Sequence, residues 1–303
     1  MGDLQNEFSW SKSRDDKFRT CLRQYYLHYY GSWGGWDFNA KERCRKIYIL
    51  KQLKNRKMWA GEKVHDCIRK SLHNLRNNIE PMPENQAIDT TVDIMRQEYL
   101  GSKRGDYWKN PKSCSLFEHE YGLNIPDSEW KATADHVIQC LHTFYGSEVY
   151  KMIRGLPGAH WLEVEDFSSF LMQGDKVHVV LDFSCRRGEE IWIYDWKTGR
   201  TESERNSFQL ACYTLYAMQK WSVEPRKIRT VEYNLLNART VEYKLESADL
   251  DAIKHHMLGS IRDMKQLLDD QETNRAREER FAFTEDENTC RFCNFRKICP
   301  KWA

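Results

Sequence analysis

The spacing of apolar residues along the chain changes near residue 160. Before that point they recur every three to four positions, the spacing of one helix face, and predict helices over 13–30, 40–56, 58–77, 86–100 and 128–152. Turn signals separate them at Gly31-Ser32-Trp33-Gly34-Gly35, at Pro81-Met82-Pro83 and from Gly101 to Pro111. Residues 161–171, 176–184 and 190–196 are instead rich in Val, Ile, Trp and Phe, with Gly174-Asp175 and Arg187-Gly188 between them. This pattern predicts a three-stranded antiparallel meander. A helix over 204–220, an apolar strand over 228–236 and a second strand over 240–245 follow, and a polar helix over 248–280 leads into a cysteine-rich tail. The expected fold is α/β, with β-β-β-α-β order behind a helical N-terminal half.

Composition adds limits. The 303 residues are 40% hydrophobic and 13% aromatic with only 7 Pro, so the chain can bury a sizeable core and is neither disordered nor collagen-like. No window approaches 18 consecutive apolar residues. The start, Met1-Gly2-Asp3-Leu4-Gln5-Asn6-Glu7, lacks the basic and apolar run of a secretory signal, and Asn6 fails the myristoylation pattern. A soluble cytoplasmic protein with no membrane contact is expected. The net charge of +2 neither requires a polyanionic partner nor excludes a locally basic groove.

Candidate chemistry begins with two carboxylates. Asp182 lies in Val179-Val180-Leu181-Asp182-Phe183, and Asp195 in Ile193-Tyr194-Asp195-Trp196-Lys197. An ionised carboxylate within an apolar strand is costly unless it is paired or binds a cation. Two of them on adjacent strands, completed by water, suit Mg²⁺ or Mn²⁺. Lys197 falls on the face of Asp195 because strand side chains alternate. Acid-x-Lys as a bare string carries no weight, since Asp15/Lys17, Glu129/Lys131, Glu242/Lys244 and Asp263/Lys265 repeat it. The apolar strand before Asp195, Thr198-Gly199 after it and the second embedded acid set this copy apart. Gln209 and Tyr213, four apart on the next helix, share a face, and His65 stands on an N-terminal helix in Gly61-Glu62-Lys63-Val64-His65.

These pieces, in order, resemble the PD-(D/E)xK nuclease superfamily in its RecB-like exonuclease branch, as in CRISPR-associated and AddB-type nuclease domains. Phe8-Ser9-Trp10-Ser11 and Cys21-Leu22-Arg23-Gln24-Tyr25-Tyr26 look like its opening motif, and Cys290-x2-Cys293-x5-Cys299-Pro300 like its close. The resemblance implies a restriction-endonuclease-like core with a mixed central sheet at 156–247. A helical part at 1–155 supplies His65 and Cys21, and a cysteine clasp at 248–303 packs back on the N-terminus, all as one compact unit. It further implies His65, Asp182, Asp195 and the Trp196 carbonyl as metal ligands and Lys197 as the residue that activates water. Gln209 and Tyr213 would brace the site or contact the nucleic-acid backbone. Glu163 or Glu165, two apart and so expected on one face, would support it.

Cys44, Cys67, Cys114, Cys140, Cys185 and Cys212 are scattered and read as small buried hydrophobes. Four thiolates from Cys21, Cys290, Cys293 and Cys299 suit a tetrahedral zinc or an iron–sulfur cluster. The resemblance implies a structural 4Fe–4S cluster there. Aromatic residues beside basic ones, at Tyr25-Tyr26, Tyr29-Tyr30, Trp33, Trp36 and Trp59, offer stacking positions for single-stranded bases or core packing. The function expected is a Mg²⁺- or Mn²⁺-dependent DNA exonuclease on single strands or ends, in repair, recombination, CRISPR adaptation or phage DNA metabolism, with a helicase or integrase as partner. The alternative is an inactive DNA-binding scaffold with a nuclease-like fold. A Gly-x4-Gly-Lys-Ser/Thr loop is missing, so the chain is not itself a helicase.

Overall fold

The computed structural model describes residues 5–199 and 204–302. The start of the chain, Met1 to Leu4, on which the targeting expectations rest, lies outside them. The N-terminal half comprises α1 (Lys12–Thr20), α2 (Leu22–Tyr26), α3 (Glu42–Lys51), α4 (Arg56–Arg76), α5 (Glu84–Arg104), the single turn α6 (Phe117–Glu120), α7 (Asp127–Tyr145) and α8 (Glu148–Arg154). Strands β1 (Trp161–Glu163), β2 (Phe167–Met172), β3 (Asp175–Val180), β4 (Phe183–Arg187) and β5 (Glu190–Lys197) follow. Then come α9 (Glu204–Trp221), β6 (Ile228–Asn234), β7 (Arg239–Tyr243), α10 (Ser247–Gln266) and the short α11 (Glu287–Arg291). Among the described residues no helix is long and apolar enough to cross a membrane.

The central sheet has the order β1-β4-β5-β6-β7, and only the β5–β6 pair is parallel. A parallel pair needs a crossover, and α9 supplies it. The sheet is therefore mixed, as the resemblance implied, but the three-stranded meander is not what forms. The first predicted strand breaks into β1 and β2 and the second into β3 and β4, so that β2 and β3 make a separate hairpin. The breaks fall where charge interrupts the apolar run, at Glu165-Asp166 and at Asp182. The helix predicted over 13–30 also breaks: Cys21 is extended (φ −163°), and its Sγ accepts from Gln24 N at 3.5 Å to cap α2. The 128–152 helix divides at Gly146-Ser147, where the Ser147 hydroxyl caps α8. The predicted 248–280 helix ends at Gln266.

Strand alternation builds three layers. Phe183, Tyr194, Trp196, Val231 and Tyr233 pack on one face of the sheet against Val64, Ile68, Leu141 and Phe144 of α4 and α7. Ile191, Ile193 and Ile228 face the other way, into Leu210, Tyr213, Ala217, Met257 and Ile261 of α9 and α10. A third cluster joins Leu27, Ile47, Leu50 and Phe117 to Phe295 of the tail. Fully burying one such side chain contributes about 1.5–3 kcal/mol, and Trp10, Tyr25 and Phe281, from the two ends of the chain, share the second cluster with the sheet. Along β5 the row Ile191, Ile193, Asp195, Lys197 occupies one face. Apolar packing thus ends where the chemistry begins.

Candidate active site

The β4–β5 register pairs Phe183 with Tyr194, which sets Asp182 level with Asp195 at the strand end. Asp182 Oδ2 accepts from Trp196 N at 2.7 Å, fixing the carboxylate against the neighbouring strand. Asp182 Oδ1 lies 3.3 Å from His65 Nδ1, Glu165 Oε1 lies 3.5 Å from the same nitrogen, and His65 Nε2 contacts the Trp196 carbonyl at 3.1 Å. One ligand atom from each of His65, Glu165 and Asp182 falls within 4.8 Å of the others. Helix α4 approaches the end of β5 closely at Gly61, where a Cβ would stand 3.2 Å from Thr198 Oγ1.

Asp195 stands beside this group of three and is 2% exposed. Its Oδ2 is 2.5 Å from Lys197 Nζ, which also donates to Gln209 Oε1 at 3.3 Å. Gln209 Nε2 in turn donates to the buried Tyr213 hydroxyl at 2.5 Å. Burial, then the Asp182 carboxylate, pushes Asp195 up to about 7 against the pull of Lys197. Burial would lower both Lys197 and His65. Asp195 outweighs it at Lys197, and Asp182 with Glu165 holds His65 well above its usual 6.5. Glu165 Oε1 and Asp195 Oδ2 are buried, with His65 Nδ1 at 3.5 Å from the first and the Lys197 ammonium at 2.5 Å from the second. The crowding of the Glu165, Asp182 and Asp195 carboxylates, felt in the upward push of Asp182 on Asp195, is what a divalent cation among them would relieve.

Glu163 and Glu165 do not share a face. A bulge follows Trp161, and Glu165 adopts φ +49°, which breaks the alternation. Glu163 turns toward α9 and accepts from the Tyr216 and Ser168 hydroxyls, leaving Glu165 at His65. Glu165→Gln is therefore expected to weaken Mn²⁺ binding by roughly 10- to 100-fold, an effect of the size seen when ligand-shell groups are lost. Glu163→Gln should leave it near wild type; calorimetric titration of both variants with Mn²⁺ decides. Glu232 is a further buried acid, opposite Asp195 in the parallel β5–β6 register, and its charge also raises Lys197. Its signal was present in the sequence, an acid embedded in the apolar run Ile228–Leu235.

The four singled-out cysteines come together from the two ends of the chain. Cys21, Cys290, Cys293 and Cys299 line one cavity together with Arg23, Phe295 and Trp302. Cys293 Sγ accepts from Phe295 N at 3.4 Å and from Gln24 Nε2 at 3.6 Å. Burial pushes the Cys293 thiol up to about 11. Arg23 ties the tail in place through Nε to the Phe281 carbonyl and Nη1 to Glu278, both at 2.8 Å.

Most of the aromatic positions singled out for stacking are packing instead. Tyr25 and Trp59 are buried, and Tyr25, Tyr29 and Tyr30 surround the buried Arg14 guanidinium. Tyr26 stacks on Tyr30, while Trp33 and Trp36 form an exposed edge-to-face pair. The opening-motif residue Trp10 is fully buried, exchanges backbone hydrogen bonds with Lys176 and His178, and donates from Nε1 to Ser260.

Comparison with curated proteins finds no match. The family model of the PD-(D/E)XK nuclease superfamily matches residues 9–300, from the segment before Trp10 to the end of the cysteine motif. An acid-x-Lys strand end beside a second acid, on a mixed sheet with a helical crossover, is what that match covers, and this chain belongs to the PD-(D/E)XK nuclease superfamily.

Proposed function

We propose that the chain is a Mg²⁺- or Mn²⁺-dependent deoxyribonuclease, an exonuclease acting on single strands or DNA ends. The convergence of His65, Glu165 and Asp182 within 4.8 Å, next to Asp195 and Lys197, carries this reading. Hard carboxylate oxygens suit both cations, and the imidazole favours the softer Mn²⁺. Asp195 and the Trp196 carbonyl complete the donor set from β5. A cation held there supplies Lewis-acid polarisation of the phosphate and a water of lowered pKa. Lys197, held between Asp195 and Gln209, presents its ammonium to the water and to the charge that develops on the phosphate oxygens. Tyr213, buried behind Gln209, positions that amide.

A second element of the proposal is a 4Fe–4S cluster on Cys21, Cys290, Cys293 and Cys299. Four soft thiols around one cavity, with N–H donors on Cys21 and Cys293, suit such a group.

The test is cleavage of end-labelled single- and double-stranded DNA with Mg²⁺ or Mn²⁺ and a chelator control. Metal-dependent shortening from one end is expected. Folded, metal-loaded protein that binds DNA without cutting it would move the assignment to the scaffold.

The site's electrostatics also predict a pH dependence. His65 is held charged well above 6.5 and Asp195 titrates near 7, so protons occupy the ligands that a cation needs. Protons and cation compete, and affinity must rise with pH. Mn²⁺ binding should tighten roughly tenfold or more between pH 6 and pH 8, with net proton release when calorimetry is repeated in buffers of different ionisation heat. An affinity that does not move with pH would contradict this account.

A further inference from the structure

The β2–β3 hairpin grows out of the active site. Its register pairs Phe167 with Val180, Ser169 with His178 and Leu171 with Lys176. Beyond Phe167 the register slips: Glu165 N donates to the Leu181 carbonyl at 2.8 Å, one position off the Phe167–Val180 ladder, so the hairpin's root lies two residues from both Glu165 and Asp182. Alternate residues share a face, and within the hairpin one face therefore carries Phe167/Val180, then Ser169/His178, then Leu171/Lys176. Glu165 departs from strand geometry, yet its carboxylate still meets that of Asp182 at His65. The opposite face, with Phe170, Met172, Val177 and Val179, is buried in the core.

The outer face is apolar and open. Phe167 is 75% exposed, Leu171 59% and Val180 38%, and the Phe167 ring lies 4.5 Å from that of His178 at 31°. At the root, Arg69 Nε stands 3.7 Å from Glu165 Oε2 with its guanidinium partly exposed. Uncovered rings next to a cation and a catalytic cluster are the elements of a single-strand track, in which rings take bases and cations take phosphates.

We propose that this face is the platform on which the strand being cut stacks its unpaired bases. Phe167, two residues beyond Glu165, takes the base beside the scissile phosphate, and Arg69 takes a flanking phosphate. The inference rests on the nuclease reading above. It identifies single strands and frayed ends as the preferred substrate, because paired bases hide the faces that Phe167 would contact.

The test uses the full chain carrying Lys197→Ala, so that the strand is not degraded, and a fluorescein-labelled single strand of mixed-sequence DNA read by anisotropy. Adding Phe167→Ala should raise Kd at least about 5-fold, with Phe167→Tyr restoring it and a smaller effect on blunt duplex. Phe38→Ala, which removes a 92% exposed ring elsewhere, should leave strand affinity as it was. With Lys197 intact, Phe167→Ala should raise KM for the single strand more than it lowers kcat. The tryptophan of Phe167→Trp should be quenched by the strand. Unchanged Kd and KM with no quenching would overturn the platform, as would a change in sedimentation without a change in strand affinity, which would assign the face to a second copy of the chain. Failure of the otherwise unsubstituted protein to cut DNA overturns the nuclease reading separately, since Kd and quenching do not depend on cleavage.

Discussion

Lys197→Ala is expected to lower the rate of phosphodiester cleavage by at least about 10³-fold, the order of loss when a preorganised charge at the reacting centre is removed. Folding should survive the change. Without its cation the buried Asp195 carboxyl takes up a proton rather than remaining charged, because desolvation and Asp182 already push it up to about 7. A melting temperature within a few degrees of wild type, together with lost cleavage on end-labelled DNA, would fit the role given to Lys197. Wild-type turnover in this variant would remove the assignment, because no other described cation lies between Asp195 and Gln209. Gln209→Ala should show the same direction with a smaller loss, since it positions the ammonium and leaves it in place.

Cys293→Ser is the second large effect. A cluster held by Cys21 and three tail cysteines closes a loop over nearly the whole chain, and the loop-entropy relation for such a cross-link gives about 5 kcal/mol. For a chain of this size about 2 °C of melting temperature accompanies each kcal/mol, so a fall of roughly 10 °C is expected. Loss of visible absorption, iron and acid-labile sulfide from anaerobically purified protein should accompany it. Cys44→Ser retains the hydrogen bond to the Trp33 carbonyl and stands outside the cavity, so it should change neither readout. A colourless wild-type protein with zinc in place of iron would overturn the cluster while leaving the clasp. Unchanged stability in Cys293→Ser would overturn the clasp itself.

The two effects separate chemistry from architecture. The active-site groups sit where the apolar row of β5 gives way to Asp195 and Lys197, and they depend on α4 and α9 to bring His65 and Gln209 to that edge. The cysteine cavity lies among α2, α11 and the tail, where Phe295 packs into the cluster of Leu27, Ile47 and Leu50. Hydrophobic contact helps hold the tail there, and the proposed cluster would add to a docking that apolar burial begins.

Several elements were legible from local pattern alone. Helices α4, α5 and α9 and strands β5 and β6 follow from periodicity, because each buries a regular face. Asp182, Asp195 and Lys197 stood out because charge within an apolar strand needs a reason. Glu232 meets the same criterion, but Asn234 rather than a lysine stands two positions on. The choice between Glu163 and Glu165 was not legible, because alternation assumes an unbroken strand and the bulge with the left-handed Glu165 reverses it. The split of the meander was hidden for the same reason: apolar composition marks extended chain but not which neighbour the chain pairs with.

The sequence by itself determined the α/β class, the acid-x-Lys strand end and the family, since these depend on local spacing and residue order. Only the tertiary structure decided that Glu165 rather than Glu163 meets His65, that Tyr25 and Trp59 are core, and that Phe167, two residues after Glu165, is left exposed. Those outcomes depend on strand register and helix packing, which are set by contacts between residues far apart in the chain and leave no local periodic signal.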